Sequence, residues 1–214
     1  MIGKAEEDKN MTQNWNYKRT LLILLVLAVL VVSLGGCSST APSRFFELIP
    51  VTGSVSTVDD RNGSLTVGIT QIGIPDYLNR PQIATRIGPN EIQYDEFNRW
   101  AGPLKENFSR VLVANLTRLL GTENVIIDTW LTMVPVDYQV WVEVIRLDAG
   151  PQGDVTLTAK WALYQHDEKK LLTIKTFDQH ETTNAAGYEA MASAASRAVA
   201  ALSREIADAI RAVR

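Results

Sequence analysis

Residues 155–165 read Val-Thr-Leu-Thr-Ala-Lys-Trp-Ala-Leu-Tyr-Gln. Val155, Leu157, Ala159, Trp161 and Leu163 fall on one side of a two-residue period and Thr156, Thr158, Lys160 and Tyr164 on the other, the pattern of a strand with one buried face. A turn over Asp167 to Lys170 leads into a second strand-like run, Leu171 to Glu181, so the two runs predict an antiparallel pair. Beyond it Tyr188, Met191, Ala195, Val199, Leu202, Ile206, Ile210 and Val213 recur in helical period over 26 residues, enough to cover a sheet face.

Toward the amino terminus, Tyr138 to Leu147 and Val125 to Asp128 also read as strands. Phe97, Trp100, Leu104, Phe108, Val111, Leu112, Asn115, Leu116 and Leu119 form one helical stripe that Gly121 closes as a C-terminal cap. Pro103 interrupts that stripe and places the helix start near Gly102, with proline in the first turn. Arg44 to Ile49 and Leu65 to Ile74 read as strands separated by a polar loop from Val51 to Gly63; Pro75 stops the second. Gln82 to Ile87 pairs with Glu91 to Tyr94 across Gly88-Pro89-Asn90. The prediction is a single α+β domain over 43–214, a mixed, mostly antiparallel sheet with two long helices packed on one face.

The chain opens differently. Lys18-Arg19-Thr20 precedes the unbroken apolar run Leu21 to Val32, and Ser33-Leu34-Gly35-Gly36-Cys37 follows. Twelve apolar residues as a helix reach about 18 Å, well short of the roughly 30 Å hydrocarbon core, so 1–36 reads as a signal peptide and a stable span is the weaker reading. Leu34-Gly35-Gly36-Cys37 looks like a bacterial lipobox, which makes Cys37 the lipidated first residue of the mature chain. Glu6-Glu7-Asp8 ahead of the basic region is atypical, and Met11 is the more ordinary initiator. Residues 37–42 are the lipidated cysteine and a short tether; Ser38 to Pro42 reach under roughly 20 Å, which keeps the domain close to its membrane. Ser38, where an Asp would resemble an inner-membrane retention signal, favours the periplasmic face of the outer membrane.

Composition narrows the chemistry. With 21 Lys plus Arg against 24 Asp plus Glu, the formal net charge of −3 argues against a nucleic-acid partner. Removing 1–36 takes Lys4, Lys9, Lys18, Arg19, Glu6, Glu7 and Asp8, leaving 17 basic and 21 acidic side chains over 178 residues. One Cys and two His predict no internal disulfide, no metal site and no cofactor. His166 and His180 read as surface histidines, and the pairs Asp59-Asp60 and Asp167-Glu168 as solvated loop charge rather than a general acid and base. G-x-S-x-G, P-loop, G-x-G-x-x-G and H-E-x-x-H patterns are absent, which counts against an enzyme.

Pro75-Asp76-Tyr77-Leu78-Asn79-Arg80-Pro81-Gln82 invites closer reading. Two prolines stiffen it, and Tyr77, Leu78 and Arg80 are residue types enriched at protein contacts. Its two readings are a packed crossover and a partner-contact surface. Trp100, Trp141 and Trp161 read as core.

Ser43-Arg44-Phe45-Phe46-Glu47-Leu48, the run Tyr77-Leu78-Asn79-Arg80-Pro81-Gln82-Ile83-Ala84-Thr85-Arg86, Asn98-Arg99-Trp100-Ala101-Gly102-Pro103-Leu104, Val136-Asp137-Tyr138-Gln139-Val140 and Tyr188-Glu189-Ala190-Met191, together with the lipobox, resemble the PqiC/YmbA lipoproteins, auxiliary lipoproteins of ABC-type transport systems. The resemblance spans essentially the whole mature chain. It departs at Phe45-Phe46, where tyrosines are usual, and at Ala84, where a larger aliphatic is usual. It implies a non-enzymatic docking component of a paraquat-inducible-type MCE lipid-transport system, anchored in the outer membrane, with an MCE-domain tunnel protein of the inner membrane as partner and a ring-like homo-oligomer as its own assembly. The rival readings are a structural envelope lipoprotein that binds peptidoglycan or the Tol apparatus, and an envelope hydrolase.

The lipobox generates a direct expectation: Cys37→Ser abolishes acyl labelling and releases the protein from its membrane on fractionation. A variant that stays as firmly bound as wild type, with wild-type mass, would refute the anchor.

Overall fold

The computed structural model describes residues 17–27, 41–52, 65–70, 72–127, 134–150, 152–165, 170–183 and 185–214. Cys37 with its lipobox, Asp59-Asp60, His166 and Asp167-Glu168 lie outside the described residues. The chain divides into two units, Met1–Ala41 and Pro42–Arg214. In the first, residues 17–27 are helical (α1). Among the described residues no helix is long and apolar enough to cross a membrane.

The second unit is an α+β domain. One mixed sheet contains β1 (Arg44–Phe46), β2 (Val67–Ile69), β3 (Gln82–Gly88), β4 (Glu91–Trp100), β5 (Val125–Ile127), β6 (Tyr138–Ala149), β7 (Val155–Gln165) and β8 (Lys170–Glu181). Helices α2 (Leu104–Leu120) and α3 (Tyr188–Val213) pack on it and on each other. The long ladders, β3 with β4, β6 with β7 and β7 with β8, are antiparallel, while the short ones are parallel. Strand β6 is central: β7 runs along one edge for its full length, and the other edge is shared by β2 at Tyr138–Val140 and β3 at Ala149.

The buried face of β7 is the one its sequence marks: Val155, Leu157, Ala159, Trp161 and Leu163 are all buried. Trp161 is fully enclosed, and its indole N–H donates to Glu205 Oε1 on α3 at 3.0 Å, so no buried donor is left over. Opposite this face α3 presents Met191, Ala195, Val199, Leu202, Ile206 and Ile210, all buried. The alanines Ala194, Ala198 and Ala207, also buried, carry no bulk that would hold the helix off its neighbours. Helix α2 ends at Gly121, which takes the left-handed conformation at φ 65° and donates its N–H to the Thr117 carbonyl.

Three sequence expectations need correction. Phe97 and Trp100 belong to β4, not to the α2 stripe; that strand runs six residues past Tyr94. The ladder to β3 continues to Gln82 opposite Arg99, Trp100 N–H donates to the Pro81 carbonyl, and Pro103 with ψ 126° admits no helix before Leu104. Trp100 is nonetheless core, as expected, whereas Phe97 is exposed. The strand expected over Leu65 to Ile74 is confined to Val67–Ile69 plus a single bridge from Gly73 to Glu143.

The first strand likewise stops at Phe46 instead of Ile49, because helix side chains replace a ladder. Leu48 N–H donates to Asn107 Oδ1 at 2.7 Å and the Leu48 carbonyl accepts from Asn107 Nδ2 at 3.1 Å, so one amide side chain imitates a neighbouring strand. Ile49 N–H donates to Ser196 Oγ and Val51 N–H to Asn115 Oδ1. Asn115 in turn donates to Ser203 Oγ at 3.1 Å, and Arg118 donates to the Val51 carbonyl. Residues 48–51 are thereby fixed to both helices by buried polar groups. We expect Asn107→Ala to cost about 1–3 kcal/mol in chemical denaturation, since it strands two backbone groups of a buried residue. Ser109→Ala, whose hydroxyl bonds only within its own helix, should change stability little.

Candidate functional site

The segment from Pro75 to Gln82 crosses the gap on the shared edge of β6. Gly73 N–H donates to the Val142 carbonyl at 3.0 Å, and Val144 N–H returns a bond to the Gly73 carbonyl at 2.9 Å. The space a side chain would fill at Gly73 holds the Glu143 carboxylate, with Oε2 only 1.6 Å from an added Cβ, so alanine there must push that carboxylate aside. Pro75 then opens one 3-10 turn, Asp76–Leu78, in which Leu78 N–H donates to the Pro75 carbonyl at 2.9 Å. Proline suits a turn start because its fixed φ is already right and its missing donor is not needed.

The structure separates the three singled-out residues. Leu78 is 3% exposed and belongs to the core. Tyr77 is half-buried, and its hydroxyl donates to Asp148 Oδ2 at 3.2 Å. Arg80 is exposed, with its guanidinium 4.8 Å from the centroid of the Tyr94 ring, and the Tyr94 hydroxyl donates to the Tyr77 carbonyl. The loop is therefore held from below by an aliphatic plug and a hydrogen bond, and it displays the arginine outward.

Beneath it lies a cluster that sequence reading missed. The Asp148 carboxylate is fully enclosed. Oδ2 accepts from Arg86 Nε at 3.1 Å and Nη2 at 2.9 Å, and Oδ1 accepts from Arg146 Nε at 2.8 Å. With Tyr77 as a further donor to Oδ2, both oxygens of the buried carboxylate are hydrogen-bonded and the charge faces two guanidinium groups, the condition under which such a charge is tolerated. The bonds to Asp148 raise the Arg86 pKa above its ordinary value against a smaller opposing effect of desolvation. Burial, and then the Asp148 charge, raise the Tyr77 pKa, so its hydroxyl remains a donor at neutral pH. Arg146 and Asp148 stand two residues apart in β6, a spacing that puts both on one strand face; Arg86 is 62 residues away, and no local pattern announces it.

A second carboxylate, Asp95, bends β4. Oδ1 accepts the N–H groups of Phe97 and Asn98 at 2.8 Å each, and Oδ2 accepts the Tyr188 hydroxyl at 3.0 Å. Burial opposes the charge, yet these donors outweigh it and hold the pKa below the usual carboxylate value. This turn produces the register shift between Gln82 and Ile83 opposite Arg99 and Asp95. Beside the loop is a cleft of about 510 Å³ whose lining includes Thr70, Asp76, Asn79, Lys105, Trp141 and Glu143. Among the described residues no three His, Cys, Asp or Glu side chains gather as metal ligands. His180 is half exposed, with Nε2 3.5 Å from Asp154 Oδ2 and Nδ1 3.2 Å from the Thr156 hydroxyl, neighbours that its sequence context did not reveal.

Comparison with known proteins gives these features a family. The ABC-type transport auxiliary lipoprotein component family matches residues 46–207. The intermembrane transport lipoprotein PqiC of Escherichia coli K12 is 26% identical over 95 residues, 44% of this chain and 51% of that protein, and PqiC of Shigella flexneri matches to the same extent. The chain thus spans about half the length of the curated relatives it matches. A solved uncharacterised protein superposes with a TM-score of 0.65 at 20% identity, covering 79% of this chain and 99% of its own. A solved protein from Xanthomonas campestris gives 0.58 at 16% identity, covering 79% and 93%. These two share the fold. The match over residues 46–207, which takes in all of the sheet except the start of β1 and all of α3 but its last six residues, places the chain in the family of ABC-type transport auxiliary lipoprotein components.

Proposed function

We propose that this chain is an outer-membrane-anchored periplasmic lipoprotein and a non-enzymatic docking component of an MCE-type intermembrane lipid-transport system. The observation that carries the reading is the family match over residues 46–207, downstream of a lipobox whose Cys37 is the only cysteine of the chain. The name of the PqiC relatives, intermembrane transport lipoprotein, points the same way. The lipid on Cys37 holds the domain at the periplasmic face, and the tether of under roughly 20 Å requires an MCE-domain partner rooted in the inner membrane to reach out to it. Self-association into a ring gives such a tunnel a symmetric seat.

The loop between Pro75 and Pro81 is the contact surface we assign to that partner, with Tyr77 and Arg80 as its accessible members and Leu78 as the plug that holds them in place. A five-donor guanidinium on a loop already fixed from below loses little entropy on binding.

Capture of the MCE-domain protein from solubilised membranes tests the function, and three substitutions test the loop. Arg80→Ala should weaken capture on the order of thirtyfold and lower thermal stability only slightly, by the about 0.5–1 kcal/mol of an exposed cation–π contact. Tyr77→Ala should weaken capture similarly while also losing its bond to Asp148. Leu78→Ala should cost about 2–5 kcal/mol of stability and, by loosening the seat of the loop, weaken capture by the remaining folded protein less than Arg80→Ala does. Normal capture by Arg80→Ala and Tyr77→Ala would reduce this loop to a packed crossover. Residues 38–214 should also scatter light above the monomer mass; a strict monomer at high concentration would remove the ring and leave docking standing.

A further inference from the structure

The surface that follows the tether is apolar where soluble edges are normally polar. Burial alternates strictly along the segment: Phe46 and Leu48 are buried, while Phe45, Glu47 and Ile49 face out. Phe45 is 63% exposed and Ile49 52%. On the adjacent strand β4 the turn around Asp95 leaves Phe97 41% exposed, two residues from Arg99, the register partner of Phe45. Large exposed apolar side chains grouped at one sheet edge mark a contact surface.

We propose that Phe45, Ile49 and Phe97 rest in the headgroup interface of the phospholipid bilayer that carries the anchor. The proposal rests on the lipoprotein reading above. Chain length selects the occupant. Phe45 is eight residue steps on from Cys37, so it lies within roughly 28 Å of the anchored residue however the tether runs. Strand β1 is one edge of the sheet and β8 is another, five strand spacings away through β4, β3, β6 and β7, or about 24 Å. A bilayer that meets the β1 edge leaves Leu171 and Ile174 of β8, which are 47% and 49% exposed, in water. Interfacial segments bury phenylalanine and aliphatic side chains at the headgroup boundary while charges stay in the wet layer. Glu47 shares the outward row, and Arg99 is tied to Glu96 at 3.3 Å, so the face is shallow and carries no positive surplus that would demand anionic lipid.

Since acylation consumes the thiol of Cys37, a cysteine introduced elsewhere is the only free thiol of the mature lipoprotein. The acylated protein with Phe45→Cys, Ile49→Cys or Phe97→Cys is labelled with an environment-sensitive fluorophore and reconstituted into phosphatidylethanolamine and phosphatidylglycerol vesicles. Leu171→Cys and Ile174→Cys serve as controls. The expected result is quenching by brominated acyl chains and loss of quenching by acrylamide at 45, 49 and 97, with full acrylamide quenching at 171 and 174. Equal acrylamide quenching at all five positions, in protein that floats with the vesicles, overturns the proposal and leaves the anchor intact. Protection from acrylamide without quenching by brominated lipid also overturns it, because a protein then covers the face. Failure of the wild-type chain to float refutes the anchor itself and takes this surface with it.

Discussion

Strand β6 has twelve residues, and every N–H and C=O along both of its edges must find a partner. Strand β7 meets that demand on one side with an antiparallel ladder that runs the length of β6, shifted in register once between Val144 and Arg146. On the other side no single strand does: β2 covers the beginning, Gly73 supplies one bridge in the middle, and β3 touches the end. Residues 72–82 must therefore travel along β6 on the way to β3, and the path of the Pro75–Gln82 loop follows from that requirement. The same path lowers Leu78 into the core and sets the Tyr77 hydroxyl over Asp148.

Asp148 is the electrostatic counterpart of this arrangement. A fully enclosed carboxylate is costly unless it is paired and hydrogen-bonded, and here donors reach it from β3, from β6 itself and from the loop. Arg86, Arg146 and Tyr77 are thus gathered around one charge, which joins the crossing loop to the strand it crosses. Residues 48–51 show the equivalent solution on the helix side, where Asn107, Ser196 and Asn115 take the backbone donors that an absent strand would have taken. In both places polar side chains complete a ladder that the sheet leaves unfinished.

This explains which parts of the fold were legible in the sequence. Strand β7 and helix α3 were plain because each buries one face of a regular element, and the two-residue or 3.6-residue period is the direct imprint of that burial; β8, in which Phe177 alone is buried, was legible as the run that pairs with β7. The limits of β1 and β2 were not, since a run of alternating residues looks the same whether its backbone pairs with a strand or with Asn107. Phe97 and Trp100 extended the α2 stripe falsely: residues four apart share a helix face, yet at Trp100, four residues before Leu104, the chain is still in β4 with its N–H on the Pro81 carbonyl. The loop was legible as a stiff segment through its prolines. Its attachment was not, because the partners of Tyr77 and Arg80 are Asp148, 71 residues on, and the ring of Tyr94 on a different strand.

The attachment also bears on how such a loop can bind. An exposed tyrosine and arginine on a free loop would lose backbone and side-chain freedom together when immobilised, at about 1–2 kcal/mol for each backbone position. Here Leu78 is already buried, Tyr77 already bonded and Arg80 already laid against Tyr94, so folding has borne most of that loss before any partner arrives. The guanidinium keeps free donors because the aromatic face beneath it accepts charge but takes none of its N–H groups in hydrogen bonds. A packed crossover and a contact surface are consequently compatible descriptions of one segment: the side of the loop that faces β6 fixes the geometry, and the side that faces outward inherits it.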